Sequence, residues 1–349
     1  MKKYNVGIIG YGWAAEAHIA AINATPLAQV TAICSSRTHD PAALSAKHGC
    51  PLQAFTNLDE MLSRQDIHAV SVCSYHRQHP AHIIAAAKAG KHIIAEKPLA
   101  LDPAELRAIG SAVTAAGVNF CTCFELRFSS QFRAIRSILG QGLLGKLHYA
   151  EVDYYHGVGP WYREFLWCTT KEDCGSSLLE AGIHAMDALL LCIDDEIEEV
   201  FTYGSKSAHP TYAPYEYPPT TATLLRFLGG TVGKCASVID CWQPYYFHTH
   251  LVGSEGSLLD DKFHSNRVDG LDRNSWNRLS YKPVDSGDVH DHPYQTQFEA
   301  FFAAIERGSP MPLTGLAEAT RTHEAVFAAM RSLELGRPVR MDEVRAGVP

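Results

Sequence analysis

Long apolar runs, blocks of one charge and paired-cysteine motifs are all missing from this chain of 349 residues. No segment reaches the ~20 consecutive apolar residues that a membrane helix needs, so no membrane partner is expected. Thirty basic residues face 38 acidic ones, for a formal net charge of -8, and they form no Lys/Arg block. Nucleic acid and anionic surfaces are therefore not expected as partners. Met1-Lys2-Lys3-Tyr4-Asn5 leads straight into a strand-like segment, without a secretory apolar region or a small-residue cleavage site. The expected location is the cytoplasm. The ten cysteines contain no Cys-x-x-Cys spacing, and Cys121-Thr122-Cys123 is too tight for that role. Cys34, Cys73, Cys121 and Cys123 lie in apolar segments and read as buried, reduced thiols. The eighteen histidines are scattered, and no metal is expected.

What is present is an ordinary globular composition, 46% hydrophobic and 19% charged, in a chain long enough for about two domains. Apolar strands alternate with capped helices through the first third. The strands are Asn5–Ile9, Gln29–Cys34, Ile67–Ser74, His92–Glu96 and Val118–Cys123. Between them lie helices at Trp13–Ala24, from Asp40-Pro41 to Gly49, at Pro80–Ala89, and from Asp102-Pro103 to Gly117. Proline opens three of these and glycine closes three, as helix ends favour. Asn57 and Glu60 form a capping pattern before Met61-Leu62. Continuous apolar strands separated by helices imply parallel pairing with both faces covered. Residues 1–122 are thus predicted to form a doubly wound α/β domain.

Residues 123–349 follow a different pattern. Lys146–His156, Thr221–Phe227, Thr231–Ile239 and Phe247–Gly253 read as strands of an open, mainly antiparallel sheet, with Gly229-Gly230 as a hairpin turn. Helices are predicted at His292–Arg307 and Leu316–Leu335. His209–Pro219 and Asp260–Asp291 read as irregular surface loops. The alternation His248-Thr249-His250 is expected to turn the two rings to opposite faces, away from a shared metal.

Gly10-Tyr11-Gly12-Trp13-Ala14-Ala15 follows a strand and opens a helix, the context in which such glycines bind a dinucleotide. Gly10 permits the turn, Gly12 admits a pyrophosphate to the backbone, Trp13 begins the helix and Ala15 lets it sit close to the strand. An NAD site usually places an acid on the ribose about 20 residues on. Here the second strand ends Cys34-Ser35-Ser36-Arg37, with no acid before Asp40. Two hydroxyls and a guanidinium suit a 2′-phosphate, so NADP is favoured over NAD. Ser74, Tyr75 and His79, after the next apolar strand, are further cofactor candidates.

Glu96-Lys97-Pro98 ends a strand of the same domain. Ligands of open α/β sheets bind at strand carboxyl ends, and an amine beside nicotinamide can carry a proton. Pro98 holds Lys97 extended and is compatible with a cis bond before it. Gly175 to Asp187 reads as a helix with Glu180 and His184 one turn apart on a shared face. With Ser177 as N-cap, Glu180 also occupies a capping-box position.

These motifs, in this order, resemble the glucose–fructose oxidoreductase/inositol dehydrogenase/MocA-like (Gfo/Idh/MocA) family over nearly the whole chain. The resemblance implies an N-terminal Rossmann domain and a C-terminal α/β domain whose sheet often joins homodimers or homotetramers. It also implies hydride transfer between nicotinamide and a secondary alcohol of a sugar, cyclitol or glycoside. Lys97 matches the family's catalytic lysine and His184 the histidine that helps carry the substrate proton. Glu180 stands where the family usually has aspartate. Phe124-Glu125-Leu126-Arg127-Phe128 resembles its Asn-x-Arg-Phe segment, with Glu125 replacing the amide. On this basis Glu96, Lys97 and Arg127 join the cofactor candidates. Lys97, Glu125, His156, Trp161, Arg163, Glu180 and His184 are the substrate candidates. The loop His156–Cys174, with Trp161, Tyr162, Arg163 and Trp167, suits stacking on a sugar or packing of the fold. Two alternatives carry different chemistry: an NAD-assisted glycosidase or lyase working by transient oxidation and elimination, and a non-catalytic cofactor-binding sensor.

Overall fold

The computed structural model describes residues 3–162, 165–282, 284 and 292–346. The chain opens with β1 (Tyr4–Ile9), α1 (Trp13–Ala24), β2 (Ala28–Cys34), α2 (Pro41–His48), β3 (Gln53–Phe55) and α3 (Leu58–Ser63). It continues through β4 (Ala69–Val72), α4 (His79–Lys88), β5 (His92–Ala95), α5 (Pro103–Ala116) and β6 (Phe120–Thr122). After α6 (Ser130–Gly140), β7 (Leu147–Tyr155) and two single turns, α7 (Phe165–Cys168) and α8 (Lys171–Cys174), comes α9 (Ile183–Cys192). Strands β8 (Ile197–Ser205), β9 (Thr220–Phe227), β10 (Val232–Val238), β11 (Tyr246–Gly253), β12 (Gly256–Leu259), β13 (Lys262–Ser265) and β14 (Asn277–Arg278) follow. The last elements are α10 (Tyr294–Glu306), α11 (Leu316–Leu335), β15 (Val339–Arg340) and α12 (Met341–Arg345).

Two compact units result: Met1–Glu125 with His292–Thr320, and Leu126–Asp291 with Arg321–Pro349. The first contains a six-stranded sheet of order β3-β2-β1-β4-β5-β6, every pair parallel. This is the doubly wound order, with its reversal between β1 and β4. The expected strands and helices form with ends shifted by a few residues, and capping explains where several helices start. Asp40 accepts from Ala42 N, Asn57 from Glu60 N, and Asp102 from Ala104 N and Glu105 N. Gly49 and Gly117 close α2 and α5 in the left-handed conformation. The short β3 has no counterpart among the expected strands.

The segment from His292 to Thr320 belongs to this first unit by packing. Helix α10 buries Phe298, Phe301 and Phe302 completely and stacks Phe302 on Tyr4, ring centroids 5.8 Å apart. Gln297 Nε2 donates to Thr122 O at 2.7 Å and to Thr314 Oγ1 at 3.1 Å, while Thr122 N donates to Thr314 O. The returning chain is thereby joined to edge strand β6.

The second unit holds a nine-stranded sheet of order β14-β13-β12-β11-β7-β10-β9-β8-β15 among the described residues. It is antiparallel except for β7 and β10. One face carries α9, whose residues are buried almost throughout, as expected for a helix apolar on every side. Leu189 of α9 closes on Gly233, which is paired with Ala150, so the residues alternating with these face away from the helix. Arg321 donates to Leu190 O and Ile193 O at 3.2 Å, satisfying carbonyls at the end of α9.

Two expectations fail here. Asp260–Asp291 is not wholly irregular, because β13 and β14 lie within it; residues 283 and 285–291 are outside the described set. His209–Pro219 is not a simple surface loop. Tyr212, Tyr215 and Tyr217 are buried, and their hydroxyls donate to the carbonyls of Cys241, Val158 and Cys168. A tyrosine can turn inward wherever its hydroxyl finds an acceptor, and proline-rich spacing conceals that from the sequence.

Replacing Gln297 with Leu is expected to destabilise the protein by about 1–3 kcal/mol, because two buried acceptors lose their donor. Urea unfolding followed by far-UV circular dichroism measures this; an unchanged midpoint would show that the returning helix is held by packing alone.

Candidate active site

In the first unit, three sequence-distant segments meet at the carboxyl ends of β1, β4 and β5. Gly10 has φ +88°, and a Cβ there would come within 2.7 Å of Cys73 O and the Ser74 backbone. Only glycine fits. Gly12 begins α1 with no atom within 4 Å of where its Cβ would lie, and among the described residues no side-chain hydrogen bond caps that helix. Ala15 is fully buried. A cradle a side chain would fill, open space at the second glycine and an uncapped helix N-terminus together fit a pyrophosphate.

Ser35, Ser36 and Arg37 lie beyond β2, with Arg37 exposed; Ser35 Oγ accepts from Arg37 N at 3.2 Å and meets His39 Nε2 at 3.3 Å. Tyr11 is hydrogen-bonded to His48 at 2.7 Å, its ring meets that of His39 edge-on at 5.1 Å, and Lys47 lies over it at 5.4 Å. Sequence reasoning missed Tyr11, His39, Lys47 and His48, because α2 carries its basic residues in an unremarkable last turn. Ser74 Oγ meets His82 Nδ1 at 2.8 Å, and Tyr75 is half exposed. His79 is fully buried, its ring nitrogens 2.7 Å from Pro98 O and 2.8 Å from Ser74 O. It braces the two strand-end turns, and burial holds its pKa low against those two carbonyls.

Glu96 turns inward from β5. Its Oε1 accepts from His18 Nε2 at 2.8 Å and from the Tyr294 hydroxyl at 2.9 Å, and its Oε2 accepts from Lys97 N at 3.2 Å. His18 Nδ1 meets Ser71 Oγ at 2.7 Å, and its ring lies 4.7 Å from that of Tyr294. Burial works against both charges. For Glu96, the His18 hydrogen bond and charge and the Lys97 charge outweigh it and hold the carboxyl far below its usual range. For His18, Cys73 and Glu96 outweigh burial and push the imidazole up to about 10. Lys97 is half-buried and precedes Pro98 through a cis peptide bond. Burial, and then the Lys97 charge, hold His76 well below its ordinary value, which places that ring within the lysine's electrostatic reach. Glu125 is buried, with His292 Nε2 3.8 Å from its Oε1. His18, His76, Tyr294 and His292 carried no motif; a lone histidine on an apolar helix face ordinarily reads as core.

In the second unit, Leu178–Gly182 is a π-helical turn running into α9, a feature frequent at functional sites. The expected capping box is absent. Ser177 is helical and bonds Pro218 O instead, because the helical bonding has already begun with Glu180 N on Ser176 O. The Glu180 carboxylate accepts from the Cys174 thiol at 3.1 Å, and both Glu180 and His184 are buried. A side chain at Gly182 would come within 2.6 Å of Ser237 Cβ. Arg127, a cofactor candidate, makes a buried bidentate pair with Asp187 at 2.7 Å on both arms, and Thr322 adds a third bond to Asp187 at 2.9 Å. Asp187 ends the sequence motif but had no expected role.

His156 meets the Tyr154 hydroxyl at 3.0 Å and stands edge-on to Tyr162 and Tyr245 at 5.3 and 5.0 Å. Trp161, 56% exposed, packs on Trp242 at 5.0 Å and donates to Gly157 O at 3.0 Å. Trp242 and Tyr245, in an aromatic run before β11, extend the expected cluster. Arg163 lies outside the described residues. The expectation for His248 and His250 is overturned. Residues two apart on a strand share a face, and their ring centroids lie 6.3 Å apart.

A parallel doubly wound sheet with a phosphate-accepting glycine turn and a lysine two strands away defines a nicotinamide-dependent oxidoreductase architecture. Residues 4–123 match the family described as "Oxidoreductase family, NAD-binding Rossmann fold", and residues 132–259 match the "GFO/IDH/MocA C-terminal domain". The chain belongs to the Gfo/Idh/MocA oxidoreductase family. It is 25% identical to a myo-inositol 2-dehydrogenase of Thermotoga maritima, covering 97% of this chain and 99% of that one. A 1,5-anhydro-D-fructose reductase of Ensifer adhaerens is 28% identical over 88% of this chain and 90% of its own. The fold matches a levoglucosan dehydrogenase solved with NADH and levoglucosan, with TM-score 0.84, 22% identity and coverage of 97% and 99%. No helix among the described residues is long and apolar enough to cross a membrane.

The His18 shift predicts a pH signature. Its folded pKa is raised, so its stabilisation is complete below about 6.5 and is lost as pH rises through about 10. Stability measured by chemical denaturation at pH 7, 8.5 and 10 is expected to fall more steeply in the wild type than in His18→Gln, which lacks that proton. At pH 7 the variant is expected to be about 3–5 kcal/mol less stable, because Glu96 is left buried without its partner. Parallel pH curves for the two proteins would refute the assignment.

Proposed function

We propose that this protein is an NAD(P)-dependent dehydrogenase that oxidises a secondary alcohol of a sugar, cyclitol or glycoside. The carrying observation is the alignment of β1, β4 and β5, which are paired neighbours in one sheet. Their carboxyl ends bear Gly10, Ser74 and Lys97, at the reversal of strand order where such sheets bind ligands. Relatives named as inositol and anhydrosugar oxidoreductases support the substrate class.

The nicotinamide ring, when bound, supplies the hydride acceptor. Gly10, Gly12 and the first turn of α1 hold the phosphates; Ser35, Ser36 and Arg37 favour a 2′-phosphate, so NADP is preferred. Tyr11, Lys47 and His48 add a polar, partly cationic edge beside them. The Lys97 amine takes the hydroxyl proton as the carbinol C–H leaves as hydride, with His184 carrying that proton and Glu180 orienting the ring. Burial of Glu96 with His18 and Tyr294 supports this role, because that carboxylate is engaged inward and fixes the backbone of Lys97. The aromatic cluster around Trp161, Trp242 and His156 offers faces for a sugar ring. Homodimer or homotetramer formation through the second unit's sheet belongs to the same reading, since Tyr203, Leu224 and Val232 are exposed on it.

The test is a panel of sugars, inositols and glycosides supplied with NAD or NADP, followed at the reduced-nicotinamide absorbance and by product analysis. NADP-dependent oxidation of at least one polyol is expected, and Lys97→Ala is expected to lower kcat by about 10²–10⁴-fold. Arg37→Ala is expected to weaken NADP roughly 10–100-fold while leaving NAD little changed. Full turnover in Lys97→Ala, or glycoside cleavage without net cofactor reduction, would overturn the assignment.

A further inference from the structure

The open face of the second unit's sheet, the face assigned above to contact between copies, also carries a cluster that the proposed hydride transfer does not use. His248 and His250 alternate with buried Phe247, Thr249 and Leu251 along β11, so both rings lie on the face turned away from α9. Glu151 of β7 pairs directly with His250 and points the same way. One ligand atom from each of the three lies within 4.8 Å of the others, and His248 Nε2 is 3.9 Å from Glu151 Oε2. We propose that His248, His250 and Glu151 form a binding site for a divalent transition-metal ion of the zinc type.

Two imidazoles and a carboxylate are a donor set suited to zinc or cobalt. Metal bonds of about 2.0–2.1 Å place tetrahedral ligands about 3.4 Å apart, a contraction that side-chain rotation supplies. The surroundings hold His248 in the orientation a ligand needs. Asp260 Oδ1 lies 3.3 Å from His248 Nδ1, directing Nε2 toward Glu151. Asp260 is in turn fixed: its Oδ1 accepts from Thr249 N at 2.9 Å, its Oδ2 accepts from the Tyr246 hydroxyl at 2.6 Å, and its own N donates to Thr249 O. It does this from a left-handed conformation, φ 53°, which is uncommon for a residue with a side chain. A carboxylate on the distal nitrogen is the usual support of a metal-bound histidine.

Lys234 is the competing cation. Its Nζ lies 2.5 Å from Glu151 Oε1 and 2.7 Å from Asp153 Oδ2, while the Tyr149 hydroxyl donates to Glu151 Oε2 at 2.7 Å. An ion arriving from the histidine side meets Oε2, and Lys234 retains Asp153. All three ligands are half-buried in the single chain, and the fourth coordination position falls to water or, where a second copy covers this face, to a group of that copy.

Titration of tag-free protein with zinc chloride by calorimetry is expected to show one ion per chain. His248→Ala, His250→Ala and Glu151→Gln are each expected to weaken it more than tenfold. Asp260→Asn, which keeps the shape but not the charge behind His248, is expected to weaken it about 10–100-fold. Cobalt is expected to give weak visible bands without the thiolate charge-transfer absorption of a cysteine site. Circular dichroism of the ion-free variants confirms that they fold. No stoichiometric binding, unchanged affinity in both histidine variants, or a thiolate band would overturn the proposal. None of these readouts depends on nicotinamide turnover, so the outcome stands apart from that of the dehydrogenase assignment.

Discussion

The buried carboxylate of Glu96 is the interaction on which the first unit depends. It receives His18 from α1, Tyr294 from α10 and the backbone of Lys97 from its own strand end. These groups come from the helix that follows the glycine turn, from the returning C-terminal segment and from the candidate proton carrier. Removing a carboxylate from water costs several kcal/mol, recovered only where partners are correctly placed. The network therefore sets a geometric condition: α1, β5 and α10 dock in one arrangement. The position of the Lys97 backbone follows from that condition.

The second unit uses the same principle with different partners. Arg127 and Asp187 are both buried and meet in a two-point pair, with Thr322 completing the acceptor. A planar guanidinium fixes direction as well as distance. The pair thus ties α9 to the turn preceding α6 and to α11. It also gives Arg127 a structural task where the family resemblance suggested cofactor contact. Upstream, the π-turn at Leu178–Gly182 sets Glu180 and His184 on the same continuous helical rod, with Gly182 admitting Ser237 at close range. Glutamate at position 180 is accommodated by the Cys174 thiol, one concrete consequence of the longer side chain.

The open sheet face shows how polar residues can be grouped without belonging to a catalytic motif. Lys234, Glu151, Asp153, His248, His250 and Asp260 come from β7, β10, β11 and the β12–β13 turn. Strand register brings them together, with His250 opposite Glu151 and His248 opposite Asp153. A coordination set assembled in this way depends on pairing across strands, and a one-residue slip would send half of it to the α9 side.

Local chemistry determined much of this protein directly from its sequence. Asp40, Asn57 and Asp102 start their helices, Gly49 and Gly117 end theirs, and Gly10 marks the turn where a Cβ would strike Ser74. Apolar runs separated by those helices imply a parallel sheet, because each strand must be covered on both faces. Lys97 and the Glu180–His184 segment were readable because their positions relative to strand and helix ends carry chemical meaning. Tertiary structure alone decided the rest. The return of α10 to β6, the burial of the tyrosines in residues 209–219, the partners of Arg127 and Glu96, and the shared face of His248 and His250 with Glu151 all join residues far apart in sequence. A hydrogen bond or an ion pair depends on distance and direction in space, which spacing along one chain specifies only within a helix turn or a strand.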